Sequence, residues 1–194
     1  TKGWFKLLDQ DQGSKHAFPS NPHEIKSVGG GGGPSRSLSV KKASGERPWR
    51  LDDFNLLKVL GQGSFGKVFL GEHKVTKDRY AVKVLSKFRV FQDDDVLATM
   101  SERRVLTLGS QCPFLAQMVA GFQTKTNLFF VMELITGGDL MFHVDERHPG
   151  AFKVSEVRFI TAEVLFGLWF LHSRGIIYRD LKLDNVMLDS TGHV

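Results

Sequence analysis

Ile177-Tyr178-Arg179-Asp180-Leu181-Lys182-Leu183-Asp184-Asn185 is the stretch on which the reading of this chain turns. An apolar lead-in runs into a loop that presents a carboxylate, an ammonium and a carboxamide. Asp180 is placed to accept the proton of an attacking hydroxyl, and Lys182 to neutralise charge on a transferring phosphoryl group. Asn185 offers a carbonyl oxygen of the kind a hard divalent cation prefers. A charged loop also arises as a plain solvated turn, so the chemical reading needs support from elsewhere in the chain.

Composition sets the outer limits. The 194 residues are 41% hydrophobic and 24% charged, as in an ordinary water-soluble domain of medium size. Cys112 is the sole cysteine, which excludes an intrachain disulfide and suits a reducing compartment. The seven histidines show no metal-ligand spacing. Thr1 to Gln10 carries charges through its apolar residues, unlike a signal peptide, and the longest apolar run, Val164 to Leu171, is too short to span a bilayer. The net charge of +5 is unevenly spread: residues 1–50 hold nine Lys or Arg and four Asp or Glu, whereas residues 51–194 hold seventeen of each. The basic character belongs to the leading segment, which fits a solubilising tail, or one near an anionic membrane or acidic partner, better than a nucleic-acid interface.

Gly3 to Leu8 is a short strand-like piece with nothing nearby to pair with. Residues 11–50 are polar, with an unbroken glycine run from Gly29 to Gly33, and read as a flexible linker. Within it, Lys41-Lys42-Ala43-Ser44 is either a basic phosphorylation site at Ser44 or an unmodified serine. Order resumes at Leu51 and leads into Gly61-Gln62-Gly63-Ser64-Phe65-Gly66-Lys67-Val68. A dinucleotide fingerprint would open a helix here, yet Val68-Phe69-Leu70 continues as a strand. A Walker loop would need Ser or Thr where Val68 stands. The pattern G-x-G-x-x-G-x-V is met in full, with glycines that let backbone N–H groups approach phosphates.

Lys74 to Asp78 closes a hairpin, and Tyr80 to Leu85 returns as a strand. Lys83 alternates with Val82 and Val84, so it faces the other side of the sheet and needs a partner there. Asp93-Asp94-Asp95 starts a helix through Val96, Leu97, Met100 and Leu106. Glu102 on that helix is the expected partner, the competing reading being a surface Glu paired with Arg103 or Arg104. Leu128 to Ile135 reads as a buried strand, Thr136 to Leu140 as a hinge entering a short helix, and Glu146 to Lys153 as a polar loop. Ser155 is expected to cap a long helix with Val157, Ile160, Val164, Leu168 and Leu171 on one stripe. After Asn185, Val186 to Leu188 and a turn at Asp189 to Gly192 begin a hairpin.

Gly61 to Val68, Lys83, Glu102 and Tyr178 to Asn185 occur in the order and spacing of a eukaryotic protein kinase, and over residues 51–194 the chain resembles that family. Lys182, two places after Asp180, is similar to the Ser/Thr class. Tyr178 in place of His, with Gly137-Gly138-Asp139 and Asp184, resembles the basophilic group. Gln92 to Val96 and Ile176 to Asp189 are similar to protein kinase C, and Gly3 to Leu8 resembles the end of the calcium-binding β-sandwich of its conventional, calcium-dependent members. The resemblance implies an α+β, bilobal fold: residues 1–10 end a membrane-binding β-sandwich, 11–50 form a linker, 51–136 the antiparallel-sheet small lobe and 137–194 the start of the helical large lobe.

The same resemblance implies an ATP-dependent, Mg2+-assisted transfer of phosphate to Ser or Thr in proteins with basic residues nearby. Gly61 to Val68, with Gln62, Ser64, Phe65 and Lys67 between the glycines, would cover the phosphates. Leu60, Val68, Ala81, Met132, Leu134, Ile135 and Met187 would sandwich the adenine, with Glu133 and the backbone after Met132 along its edge. Lys83, held by Glu102, would grip phosphates; Asp180 would orient the hydroxyl, Lys182 assist, and Asn185 hold Mg2+. Asp139 and Asp184 would read substrate Arg or Lys. Calcium, diacylglycerol and phospholipid would act only through domains before Thr1. The parent would be a cytoplasmic monomer recruited to membranes, with no nucleic-acid partner. The Asp-Phe-Gly segment that supplies the main Mg2+ ligand is expected just after Val194, so these 194 residues alone are expected to be inactive. Two other readings compete: a non-catalytic ATP-binding scaffold or pseudokinase, and a small-molecule kinase.

Overall fold

The computed structural model describes residues 5–7, 47–63, 66–147 and 152–194. Strand β1, Phe5–Leu7, comes first. Phe54–Gln62 (β2), Gly66–His73 (β3), Arg79–Ser86 (β4), Met118–Gln123 (β5) and Asn127–Glu133 (β6) form a five-stranded sheet in the order β2-β3-β4-β6-β5. Every neighbouring pair is antiparallel; short hairpins join β2–β3, β3–β4 and β5–β6, while β4 and β6 are separated in the chain by two helices and β5. Lys77 adopts a left-handed φ of 63° in the β3–β4 turn. Helices Lys87–Gln92 (α1) and Val96–Leu108 (α2) follow β4. A three-residue helical turn, Leu140–Phe142 (α3), precedes the long helix Val154–His172 (α4) and strand Ile176–Tyr178 (β7). This is the α+β, bilobal arrangement expected.

Strand periodicity sorts the small-lobe core into two layers. Val82, Phe129 and Val131 pack with Phe54 on one face, under Trp49, Tyr80 and Phe122. Leu85, Leu128 and Phe130 face the other way, against Val90, Val96 and Leu106 of α1 and α2. Lys83 shares the period of Leu85 and therefore projects toward α2. Phe170 and Leu171 of α4 meet Val105 of α2, Cys112 and Ile176 in a third core, and Ile160 meets Leu140, Val186 and Leu188 in a fourth. The third core ties the lobes together, while the fourth lies within the large lobe. Among the described residues no helix is long and apolar enough to cross a membrane.

Several local expectations are corrected. Phe5–Leu7 does find a partner: it pairs antiparallel with Ile176–Tyr178, Phe5 opposite Tyr178. The acidic run does lead into α2, with Asp95 at its N-cap, but none of the three lies in the helix's first turn. Asp93 closes α1, which the sequence reading missed; Asp94 takes a left-handed φ of 54°; and Asp95 precedes α2 without a side-chain cap bond. Ser155 lies inside α4, whose N-cap is Lys153, with Glu156 accepting from the Lys153 N–H at 2.7 Å. The α4 stripe is buried at Ile160 and Leu171, but Val157 is exposed, as are Leu165, Phe166 and Trp169 on the rest of the helix. The preceding polar stretch begins as a π-helical turn, His143–Arg147. Residues 1–4, most of the linker including Ser44, and Pro149-Gly150 lie outside the described residues.

Gly66 faces the tightest approach in the sheet. A Cβ there would stand 1.8 Å from the Val84 carbonyl oxygen, whereas at Gly61 nothing lies within 4 Å. Gly66→Ala is expected to cost roughly 1–3 kcal/mol or more, and Gly61→Ala to leave the urea midpoint near that of the parent. At the sheet's entrance, Arg47 donates to both oxygens of Asp53, at 3.1 and 2.5 Å. That guanidinium holds the Asp53 carboxyl below its ordinary pKa. A carboxyl that ionises more readily folded than unfolded stabilises the fold above about pH 4, and the contribution fades as pH falls through the lowered value. Asp53→Asn is therefore expected to lower the melting temperature at pH 7, with the gap to the parent closing below about pH 4.

Candidate active site

Four strands contribute one row of residues across the cleft face. Gly61 pairs with Val68, Val68 with Lys83, and Lys83 with Phe130. The next row along is Leu70, Ala81 and Met132. Opposite residues in an antiparallel sheet share a face, so glycine edge, Val68, Ala81, Lys83 and Met132 form one continuous surface. Leu60, half exposed, begins the glycine loop. Gly63 N–H donates to the Gly66 carbonyl at 2.9 Å and closes it. Gln62 pairs with Lys67, while Ser64 and Phe65 lie outside the described residues.

Lys83 donates through Nζ to Glu102 Oε1 of α2. Only 15% and 16% of their side chains are exposed, so the sheet and the helix are joined by a largely desolvated ion pair. The reading of Glu102 as a surface residue paired with Arg103 or Arg104 is displaced.

The loop after β7 holds the second half of the site. Asn185 Nδ2 donates to the Asp180 carbonyl at 2.8 Å and to Asp180 Oδ2 at 2.9 Å, which fixes the carboxylate against its own loop. Lys182 Nζ lies 3.6 Å from Asp180 Oδ2. Leu183–Asn185 forms one 3₁₀ turn, and Asp184 on it is exposed. With its amide nitrogen engaged by Asp180, Asn185 keeps its carbonyl oxygen as a ligand atom.

Tyr178 packs against the third core. Burial pushes its phenol up to about 12, helped by the charges of Asp180 and Glu102, while a bond with Asn185 pulls the other way. Sequence reasoning noted Tyr178 only as a replacement for His; its burial in the third core was the missing information.

The strap leaving the sheet is zipped to the segment after the loop. Gly137 N–H donates to the Leu188 carbonyl (2.9 Å), Leu188 N–H to that of Gly138 (2.8 Å) and Leu140 N–H to that of Val186 (2.9 Å). A Cβ on Gly137 would sit 2.3 Å from Leu188 O, so only glycine fits. The zipper brings Met187, bridged to Asp139, under the strap that contains Leu134 and Ile135. Asp139 Oδ1 accepts from Phe142 N–H at 2.8 Å as the cap of α3. Glu163, an acid buried on α4, was not foreseen either. It accepts from His193 Nδ1 at 2.6 Å and Val194 N–H at 2.8 Å, anchoring the turn at Asp189 to Gly192.

The glycines and lysine thus share one sheet face, and the carboxylate of Asp180 is fixed within the loop after β7. The protein kinase domain model matches residues 54–194. The chain is 53% identical over 150 residues to protein kinase C delta type of Homo sapiens, covering 77% of this chain and 22% of that protein. It is 54% identical over 143 residues to the human protein kinase C eta type, covering 74% and 21%, and 55% identical over 146 residues to a putative protein kinase C delta type homolog of Drosophila melanogaster, covering 75% and 22%. The chain belongs to the protein kinase family, with protein kinase C as its similarity. It spans about a fifth of the length of these relatives.

The ion pair offers a direct check. Glu102→Ala leaves the Lys83 ammonium largely buried and without its carboxylate, and is expected to lower the unfolding free energy by roughly 1–3 kcal/mol. The double variant Lys83→Met/Glu102→Leu is expected to recover much of that loss in the same denaturation assay.

Proposed function

We propose that this chain is the ATP-binding and hydroxyl-orienting part of a protein kinase C-like Ser/Thr protein kinase. The observation that carries the reading is the largely buried Lys83–Glu102 pair, together with the Asp180 carboxylate fixed by Asn185. ATP fits the surface described: the space over Gly61 and Gly63 is open, Lys83 supplies a cation, and Val68, Ala81, Met132 and Met187 supply apolar contact for a base. Leu60, Gln62, Lys67, Glu133, Leu134 and Ile135 complete that set. When bound, ATP with Mg2+ supplies the phosphoryl group and charge neutralisation.

The chain's own residues do the positioning. Lys83, held by Glu102, grips phosphate oxygens, and the glycine-loop N–H groups approach them from above. Asp180, immobilised by Asn185, accepts the hydrogen bond of a Ser or Thr hydroxyl and orients it. Lys182 shields Asp180 and the group in transfer. Asn185, its amide engaged by Asp180, would offer its carbonyl oxygen to Mg2+. Asp184, exposed, and Asp139, whose second oxygen stays outside the cap bond, read Arg or Lys on the substrate. The finer reading, the conventional, calcium-dependent type, rests on Gly3 to Leu8 alone, whereas the relatives named above are delta and eta types. Calcium, lipid and membrane recruitment would then belong to regions outside this chain, and the parent would be a cytoplasmic monomer. Retention of Lys83, Glu102, Asp180 and Asn185 together argues against a pseudokinase.

The 194 residues alone are expected to bind ATP·Mg2+ but to transfer no measurable phosphate to an Arg-rich Ser peptide; robust transfer refutes the incomplete-site reading. In the longer protein containing this chain, Asp180→Asn is expected to lower kcat about 10²-fold or more with little change in the KM for ATP. Lys83→Met is expected to abolish turnover without unfolding the protein, and retained activity removes the phosphate-grip role.

A further inference from the structure

Gly137 and Gly138 stand directly before Asp139, the acid read above as a reader of substrate Arg or Lys. Two glycines in a row give the chain wide torsional freedom, and Gly138 uses it, with a left-handed φ of 84°. The helical turn that Asp139 caps, Leu140–Phe142, is too short to hold its own direction. The main-chain zipper to Leu188 ties down the strap from one side. A second tie comes from the helical turn itself. His143 Nε2 lies 2.7 Å from the Gly137 carbonyl oxygen. A carbonyl only accepts, so this ring nitrogen carries the proton and donates. The bond closes the turn at residues 137–143 around Asp139. The ring stands edge-on to Phe142, with centroids 5.6 Å apart, and lies 6.4 Å from the ring of Phe152, in the segment before α4. Aromatic packing thus fixes where the donor points.

We propose that His143 is a positioning residue: its Nε2–H, bound to the Gly137 carbonyl, holds the turn at residues 137–143 closed and so sets where Asp139 presents its carboxylate to a basic substrate residue. The inference rests on the substrate-reading role of Asp139 proposed above and adds the group that aims it. Asp139 Oδ1 accepts from Phe142 N–H at 2.8 Å, so the carboxylate moves with the helical turn. With the ring donor removed, that turn swings on Gly138 and the second oxygen loses its fixed direction. A charge-assisted hydrogen bond to a guanidinium depends on that direction. Gly137 and Gly138 stay zipped to Leu188 through their main chain, so the strap keeps its place and the cost falls on recognition of the peptide.

The test uses the longer protein containing this chain as parent, with His143→Phe, His143→Gln, Asp139→Asn and the double variant Asp139→Asn/His143→Phe, each checked for fold by its melting temperature. The substrates are an Arg-rich Ser peptide and copies in which each Arg in turn is replaced by Ala, and the readout is the ratio of kcat/KM with and without each Arg. Asp139→Asn, which keeps a capping oxygen but removes the charge, is expected to lower this ratio at one Arg. His143→Phe keeps an aromatic ring without a donor, and is expected to lower the ratio at that same Arg about fivefold, through the KM for peptide, with kcat and the KM for ATP within about twofold of the parent. His143→Gln, whose amide N–H can still donate, is expected to bring the ratio back to within about twofold of the parent. The double variant is expected to lose no more than Asp139→Asn alone, because both changes act on one interaction. The proposal is overturned if His143→Phe keeps the parent's ratio at that Arg, lowers kcat/KM equally for every peptide or fails to fold, or if His143→Gln matches His143→Phe. An Asp139→Asn variant that keeps the parent's ratio at every Arg overturns the substrate-reading role itself, whereas a loss there with His143→Phe unaffected removes this inference alone.

Discussion

A single largely desolvated ion pair, Lys83 to Glu102, determines how the sheet and its helix face each other. Taking both charges out of water costs more than their contact returns at most such sites, so the pair is a poor source of net stability. Its value is positional. A lysine on a central strand and a glutamate on a neighbouring helix hold a cation at a fixed depth in the cleft. Everything else in the small lobe supports that placement: the two apolar layers hold the strand flat against α2, and the Gly66 approach to Val84 keeps β3 close enough for Val68 to flank the lysine.

The large-lobe side of the cleft is set by different means. Three backbone bonds zip the strap residues Gly137 to Leu140 to Val186 to Leu188, and Asn185 clamps Asp180 from within the loop. These are short, local constraints with little freedom, and they suit a reaction in which the protein's main work is to hold groups in place. Tyr178, two residues before Asp180, packs into the third core and so anchors the start of the loop.

The chain leaves one face unfinished. Leu165, Phe166 and Trp169 of α4 are exposed on a helix whose opposite side is in the core. A contiguous apolar face of this kind is an aggregation hazard when nothing covers it. It also explains why the apolar stripe read from the sequence was only half right: α4 is apolar on more than one side, so periodicity could not say which stripe the core would take.

Much of the site was legible in the residues. Lys83 alternating with valines demanded a partner, the glycine spacing demanded a close approach, and the loop from Asp180 to Asn185 carried its donors and acceptors within one turn. These are local rules of period, sterics and hydrogen-bonding capacity, and a sequence states them directly. Tertiary structure alone decided the rest: that Tyr178 packs into the third core, that Glu133 accepts from Gln117 N–H through its side chain, that Glu163 is buried against His193, and that Phe5–Leu7 lies along β7. Each depends on segments far apart in the chain meeting in space. Ser155 was misplaced for a related reason: more than one residue there could begin the helix, and the chain starts it two residues earlier, with Lys153 as the N-cap.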